Sequence, residues 1–269
     1  MNWLLVPTFL LAAAFFLFGK SLAGKQFSAT ALASLFAAMI LLSTPGFLYA
    51  VYYLKVLGEP IWLYRWRSLP FTELAASGAG LLAGYAQGAL IGRIKLSRVG
   101  KKVFFPLLLF LMLAAPYLKP IARPLDAKSI RDVWSDGVCL QSTPATCGPA
   151  SAATLLRANG KTVTEKELAM EVFTSSTGTE NWYLTRALRR RGATVEYFLD
   201  RPQPDRLRHP AIAGVRLSAD GSGSGHYIAI LGEQGENYIV GDPLVGRLLL
   251  SAKDLQVSYY FTGFFMVVK

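Results

Sequence analysis

The chain has 269 residues, of which 52% are hydrophobic and only 17% are charged. Soluble domains usually carry about 25% charged residues, so this composition argues against a chain that is water-soluble throughout. Residues 1–124 carry 12 Lys or Arg and two acidic residues, whereas residues 125–269 carry 16 basic and 15 acidic residues. The basic excess belongs to the apolar half, which argues against nucleic-acid binding and indicates signals of membrane topology.

Four apolar stretches predict membrane-spanning helices, at residues 3–19, 30–53, 74–92 and 103–118. Each is close to the ~20 residues that a helix needs to cross ~30 Å of hydrocarbon. The first stretch has the length of a signal peptide, but it lacks a basic start and leads directly into the second, so a retained helix is favoured. We therefore expect an all-α transmembrane bundle of four helices over residues 1–124, embedded in a lipid bilayer.

The third apolar stretch carries small residues at every fourth position, namely Ala76, Gly80, Gly84, Gly88 and Gly92. This spacing places minimal side chains on one helix face, where the backbone of another helix can approach closely. We expect that face to pack inside the bundle.

Lys and Arg residues in the short loops predict the orientation in the membrane. Seven of them follow the first and third stretches: Lys20, Lys25, Arg93, Lys95, Arg98, Lys101 and Lys102. Five fall on the opposite side: Lys55, Arg65, Arg67, Lys119 and Arg123. This bias predicts a multi-pass protein of the plasma (inner) membrane with its second half outside the cytoplasm. Residues 59–70 (EPIWLYRWRSLP) have a composition suited to the water–lipid interface.

Residues 125–269 have the composition of a globular domain and are long enough for one core. Helices are predicted at Pro149–Asn159, from Thr164 to about Phe173, and at Glu180–Arg191. Strands are predicted near residues 193–199, 211–217, 226–231, 237–241, 246–250 and 259–268. Helices followed by strands indicate an α+β domain with an antiparallel sheet.

Cys147 is the first candidate for chemistry, because it immediately precedes a predicted helix in the run Thr146-Cys147-Gly148-Pro149. The positive end of a helix dipole favours a thiolate there, which is the nucleophilic form of cysteine. Taken alone, a single cysteine is more often a small buried apolar residue than a nucleophile. A catalytic role therefore requires a base nearby.

His226 is the candidate base, since His209, the other histidine of the chain, has the setting of ordinary loop or edge structure. If Leu231 pairs with Asn237 in a hairpin, His226 lies directly opposite Asp242, with side chains ~5 Å apart. A carboxylate in that position fixes the imidazole tautomer and stabilises the imidazolium.

Gln141 lies six residues before Cys147, in a segment that must bend into the predicted helix. Its side-chain amide can donate to the oxyanion that forms when a thiolate attacks a carbonyl, alongside the backbone N–H of Cys147.

The combined pattern is Gln141-x5-Cys147-Gly148-Pro149-Ala150, then His226-Tyr227, then Asp242-Pro243. It strongly resembles the double-glycine leader peptidases, papain-like cysteine peptidases best known as N-terminal domains of bacteriocin-exporting ABC transporters. The resemblance implies a papain-like domain over residues 125–269 that cuts after a Gly-Gly pair. It also implies Cys147 as nucleophile, His226 as base, Asp242 as its orienting residue and Gln141 as oxyanion donor. No cofactor and no metal ion are expected.

Two departures from that family limit what the resemblance implies. The sequence has no Gly-x4-Gly-Lys-Ser/Thr phosphate loop, so it is not itself an ABC exporter, and its peptidase-like half follows apolar helices instead of preceding them. The leading interpretation is a membrane-anchored cysteine endopeptidase that acts on a precursor peptide or protein, with a separate transporter or secretion machinery as a further partner. Thiol-dependent acyl transfer, leader binding without proteolysis, a transporter-accessory role and a regulatory Cys139–Cys147 disulfide remain alternatives.

Overall fold

The computed structural model describes residues 2–55 and 58–269. The chain divides into two compact units, one formed by Met1–Glu59 with Pro70–Lys119 and the other by Pro60–Leu69 with Pro120–Lys269.

The apolar half of the chain is helical. In chain order its helices are α1 (Leu5–Leu22), α2 (Ala29–Tyr53), α3 (Ile61–Arg67), α4 (Thr72–Ala75), α5 (Ala79–Ala89) and α6 (Arg98–Ala122). Within the described residues, three of them are long and apolar enough to cross a membrane, namely α1, α2 and α6. These apolar helices indicate membrane association.

The prediction of four uninterrupted membrane-spanning helices is wrong for the third apolar stretch. Residues 74–92 are divided among α4, a 3₁₀ turn at Ala76–Gly78, α5 and a second 3₁₀ turn at Ile91–Arg93. Glycine is a poor helix former because it gives up more backbone entropy than other residues, so this glycine-rich stretch has little local preference for one continuous α-helix.

The small-residue face of the third stretch does pack closely against α1. A Cβ atom added at Gly80 would overlap the carbonyl oxygen of Ala12, and one added at Gly84 would overlap that of Phe16. The predicted close approach of two helix backbones is therefore confirmed at these positions. It is wrong at Gly92, where an added Cβ would meet no described atom within 4 Å.

The second unit combines helices with antiparallel sheet, which confirms the predicted α+β class. Besides α3 it contains the helices α7 (Cys147–Ala158), α8 (Glu165–Glu171), α9 (Asn181–Arg190) and α10 (Ala252–Ser258). Its strands are β1 (Val133–Ser135), β2 (Val138–Leu140), β3 (Val195–Leu199), β4 (Ala211–Arg216), β5 (Gly225–Gln234), β6 (Asn237–Asp242), β7 (Gly246–Ser251) and β8 (Tyr260–Val268). In the described chain, β1 pairs with β2, and the other strands form one antiparallel sheet in the order β3-β8-β4-β5-β6-β7.

Two helix starts in this unit show how local sequence sets the boundaries. α7 begins at Cys147, two residues earlier than predicted, and Pro149 falls within the first turn, where its missing N–H leaves no helical hydrogen bond unmade. α8 begins as predicted, because the Thr164 hydroxyl accepts a hydrogen bond of 3.0 Å from the backbone N–H of Glu167.

Helix α7 is the buried centre of the second unit. Its residues from Cys147 to Leu156 are all buried. The Ser151 hydroxyl donates to the carbonyl oxygen of Tyr227 on β5, at 3.0 Å. On the next strand, a Cβ at Gly241 would lie 3.0 Å from the Thr154 side chain, so α7 lies close against the sheet. This packing places the start of α7 beside the strand that carries His226.

The segment Pro60–Leu69, which the sequence assigns to the membrane interface, packs within the second unit. The Arg67 side chain is fully buried, with its guanidinium 4.7 Å from the centre of the Trp182 ring. The Ser68 hydroxyl forms a 2.7 Å hydrogen bond with the phenol of Tyr197, which is also fully buried. Arg67 and Ser68 of this segment are therefore part of the core of the second unit.

Candidate active site

Cys147 is the first residue of α7 and is 9% exposed. The backbone N–H groups of a first helical turn have no acceptor within the helix, and the helix dipole adds partial positive charge there. The next residue is tightly enclosed, because a Cβ at Gly148 would lie 2.9 Å from the Leu184 side chain and 3.5 Å from the Tyr227 ring. Glycine at this position lets both side chains approach the backbone next to the thiol.

His226 and Asp242 form a buried hydrogen-bonded pair. Nε2 of His226 lies 2.9 Å from Oδ1 of Asp242, and their side chains are only 3% and 2% exposed. The same Oδ1 accepts a hydrogen bond of 2.8 Å from the backbone N–H of Leu244. The sequence predicted this meeting of histidine and carboxylate.

The predicted register of that hairpin is wrong, although the pair forms. Gln234 pairs with Asn237, and an irregularity between Ile230 and Gly232 shifts the ladder by one residue before Ala229 meets Gly241. Extending this register places Asp242 two residues away from the position opposite His226, so the two side chains are diagonal neighbours. Diagonal side chains on one sheet face are about 7–8 Å apart at their backbones, a gap that the imidazole ring spans.

Electrostatics connects His226 with Cys147 as well as with Asp242. Burial by itself lowers the pKa of His226, but hydrogen bonds with Asp242 and Cys147 outweigh it and raise that pKa to about 9. Since Nε2 is engaged by Asp242, the other ring nitrogen, Nδ1, is the one left for the thiol. Burial raises the pKa of Asp242, yet hydrogen bonds from His226, Tyr259 and the Leu244 N–H bring it below its ordinary value.

Tyr259 is a member of this network that sequence reasoning missed. It is 6% exposed, and its phenol donates a hydrogen bond to Oδ2 of Asp242. It follows α10, a helix that was not predicted because it is a single short segment between two strands. The signal was present in Ser251, whose hydroxyl accepts from the N–H of Asp254, a cap that marks a helix start.

Gln141 lies just after β2, on a loop fastened to the turn that follows Asp242. Its backbone N–H donates to the carbonyl oxygen of Pro243 at 2.8 Å, and its side-chain Nε2 donates to that of Thr143 at 2.9 Å. Its Oε1 is buried and has no hydrogen-bond partner among the described residues. One N–H of the side-chain amide thus donates within the loop. The amide nitrogen has a second N–H that can donate to another acceptor.

The Gln141 loop is held from its other side by Glu165, which the sequence did not single out. Its fully buried carboxylate accepts hydrogen bonds from the N–H and the hydroxyl of Ser142, at 2.8 and 2.5 Å. The backbone N–H of Glu165 in turn donates to Asp132 at 2.7 Å. The loop that leads into α7 is therefore fixed before substrate arrives.

Cys139 is fully buried in β2, and both cysteines are free thiols. Its backbone N–H donates to the Thr154 hydroxyl of α7 at 2.9 Å. The Cys139–Cys147 disulfide considered from the sequence is not formed in this structure.

His209 lies apart from Cys147, His226 and Asp242, in the loop that precedes β4. Its Nε2 lies 3.2 Å from a carboxylate oxygen of Glu233, and its side chain is 33% exposed. Of the loop or edge structure that the sequence predicted for His209, the structure shows a loop, since β4 is an interior strand of the sheet.

Cys147 at the N-terminus of α7, His226 and Asp242 thus bring together a thiol, an imidazole and a carboxylate, with His226 bonded to Asp242 and electrostatically coupled to Cys147. This is the arrangement in which a cysteine is activated by a base, and the base is oriented by a third group.

The family model described as peptidase C39 matches residues 136–269. An uncharacterized protein of Methanothermobacter marburgensis is 33% identical over 144 residues, which cover 54% of this chain and 94% of that protein. An uncharacterized protein of Methanothermobacter thermautotrophicus is 31% identical over 137 residues, which cover 49% of this chain and 87% of that protein.

Solved structures with a similar fold include two peptidase domains. One is from Streptococcus ComA, described as a bifunctional ABC transporter in a quorum-sensing pathway. It is 23% identical, with a TM-score of 0.40, over 48% of this chain and 94% of that one. The other is a double glycine motif protease from an AMS/PCAT transporter in complex with the leader peptide. It is 22% identical, with a TM-score of 0.41, over 49% of this chain and 89% of that one.

Proposed function

The chain belongs to the peptidase C39 family and is a cysteine peptidase, and on that premise we propose that it is a membrane-anchored endopeptidase that removes the leader of an exported precursor peptide or protein. The observation that carries the proposal is the chain from Cys147 through His226 to Asp242.

The geometry supports a two-step thiol mechanism. His226 takes the proton of the Cys147 thiol, and the sulfur is left as the nucleophile. The sulfur attacks the scissile carbonyl, and His226 gives its proton to the leaving amine as the C–N bond breaks. His226 then takes a proton from water as the oxygen of that water attacks the thioester carbonyl. The C–S bond breaks, its electrons return to the Cys147 sulfur, and the leader leaves as a carboxylic acid that loses its proton to solvent. Asp242 keeps the imidazole oriented throughout.

The oxyanion of each tetrahedral intermediate is proposed to bind between the backbone N–H of Cys147 and the side-chain amide of Gln141. The support is the placement of Gln141 on a loop that is fastened to the turn after Asp242 and to Glu165. Donors fixed in advance stabilise developing charge without having to reorganise during the reaction. The second N–H of the Gln141 amide supplies the side-chain donor.

We place the cleavage site after small residues of the Gly-Gly type. The support is the pattern of Gln141, Cys147, His226 and Asp242, which resembles that of the double-glycine leader peptidases.

Cleavage is tested with the full-length protein in lipid nanodiscs and a synthetic precursor from a neighbouring reading frame whose leader ends in Gly-Gly or Gly-Ala. We expect one cut, after that pair, detected by mass spectrometry, and a loss of cutting when both residues are replaced by Val. Binding of the precursor without any cut would instead support the leader-binding alternative. Transfer of the acyl group to an added amine in preference to water would support acyl transfer.

The membrane arrangement is proposed from charge and from the composition of the second unit. Because residues 60–69 belong to the same compact unit as residues 120–269, both segments lie on one side of the bilayer. The chain between them must then cross an even number of times. Helix α6 provides one of these crossings.

The seven basic residues after the first and third apolar stretches then face the cytoplasm, and the peptidase half lies outside it. A reporter that is active only outside the cytoplasm, fused after Lys269, should be active in cells. Activity of a cytoplasm-only reporter at the same position would overturn this orientation. It would leave the peptidase assignment intact.

A further inference from the structure

The Asp242 carboxylate is buried, 1% exposed, and its two oxygens have different donors. Oδ1 accepts from Nε2 of His226 and from the Leu244 N–H, whereas Oδ2 accepts from the phenol of Tyr259. A buried carboxylate requires such donors, since removing its charge from water is costly. Because both oxygens belong to one rigid carboxylate group, the donor that holds Oδ2 also sets the direction in which Oδ1 points.

The phenol of Tyr259 is itself held by the backbone around it. The N–H of Tyr259 donates to the carbonyl oxygen of Leu255 in α10, at 2.8 Å. Its own carbonyl oxygen accepts from Nε2 of Gln203, at 3.3 Å, and the Oε1 of that glutamine accepts from the N–H of Phe261. Burial, together with the charge of Asp242, raises the pKa of Tyr259, so its hydroxyl stays protonated and able to donate at neutral pH.

We propose that Tyr259 is a positioning residue of the peptidase site, which holds the Asp242 carboxylate in the orientation that binds His226. This inference rests on the proposed function. Without the phenol, Oδ2 becomes a buried acceptor with no donor, and the carboxylate can rotate about its Cβ–Cγ bond. Its hydrogen bond to Nε2 of His226 then weakens, and the imidazolium loses part of its stabilisation.

The groups that act on this pair come from three directions. Cys147 faces His226 from α7, the Leu244 N–H faces Asp242 from the turn after β6, and Tyr259 faces Asp242 from the end of α10. Among these groups, Tyr259 can be altered by removing a single oxygen, which leaves the nucleophile and the base in place.

The test is Tyr259→Phe in the full-length protein, with kcat and KM measured on one precursor peptide from pH 6 to 10. We expect kcat to fall about tenfold, the effect of one hydrogen bond to a charged group, with KM unchanged because Tyr259 does not touch substrate. The fall of kcat at alkaline pH, which reports loss of the His226 proton, should move to lower pH. In the Asp242→Asn protein, Tyr259→Phe should lower kcat only slightly further. The reason is that Tyr259 acts on His226 by way of the Asp242 carboxylate, which that protein no longer has.

Tyr238→Phe is the matched control, because Tyr238 is a buried tyrosine of the same core and its hydroxyl accepts from the Leu207 N–H at 3.2 Å. It should lower the melting temperature and leave the fall of kcat at alkaline pH in place. If wild-type protein cleaves but Tyr259→Phe matches Tyr238→Phe in kcat and in pH profile, this inference is overturned and the peptidase assignment stands. Equal losses from Tyr259→Phe in the wild-type and Asp242→Asn backgrounds also overturn it. Failure of wild-type protein to cleave would instead reject the proposed function.

Discussion

Cys147→Ala is expected to reduce precursor cleavage to background, a loss of at least about a thousandfold, while binding of the leader survives. The substitution removes the nucleophile at the start of α7 and leaves His226 and Asp242 in place. Cleavage is measured as a single-turnover rate with excess enzyme, and binding as fluorescence anisotropy of a labelled leader. Since alanine fits wherever cysteine does, the fold should be retained.

Cys139→Ala is the matched control, since Cys139 is fully buried in β2 and its sulfur is not part of the candidate site. That variant should keep its cleavage rate and lose only stability. A thiol-directed alkylator should inactivate the Cys139→Ala protein and leave the Cys147→Ala protein unmodified under native conditions. Wild-type processing by Cys147→Ala would reject the thiol mechanism, and the leader-binding alternative would take its place.

The residues of the candidate site could be singled out from the sequence because each belongs to a local pattern. Cys147 precedes a helix that opens with glycine and proline, and His226 and Asp242 lie on strands whose apolar composition predicts burial. Their exact pairing was not predicted, because Gly232, the glycine at the irregularity in β5, has the composition of a turn residue and was assigned to the hairpin loop. A histidine side chain tolerates that error, since it reaches diagonal neighbours as well as direct ones.

Contacts between distant parts of the chain could not be predicted from local composition. The composition of Pro60–Leu69 does not show that Arg67 and Ser68 are buried against Trp182 and Tyr197, which lie far along the chain. The contact of Tyr259 with Asp242 has the same origin. A tyrosine near the start of a strand is ordinary, and only the folded sheet brings its phenol to Asp242.

His226→Ala is expected to abolish turnover, whereas His209→Ala should leave it almost unchanged. The imidazole of His226 is buried between Asp242 and Cys147, while that of His209 is partly exposed and bonded to Glu233. Removing a base that acts together with its nucleophile costs about as much as removing the nucleophile, so the loss should be about a thousandfold or more. Single-turnover rates of both variants check this, with circular dichroism to confirm the fold. Equal losses from the two substitutions would mean that the base was misassigned.

The pH dependence of the wild-type protein gives a second measure of the same pair. Because its pKa is raised from 6.5 to about 9 in the folded state, His226 adds stability that is fully present below about pH 6.5 and is lost as pH rises through about 9. Cleavage should fall over the same alkaline range, since the leaving amine then loses its proton donor. The melting temperature of His226→Ala should therefore depend less on pH between 6.5 and 9 than that of wild-type protein. If both proteins show the same profile, the charged His226–Asp242 pair does not stabilise the folded state.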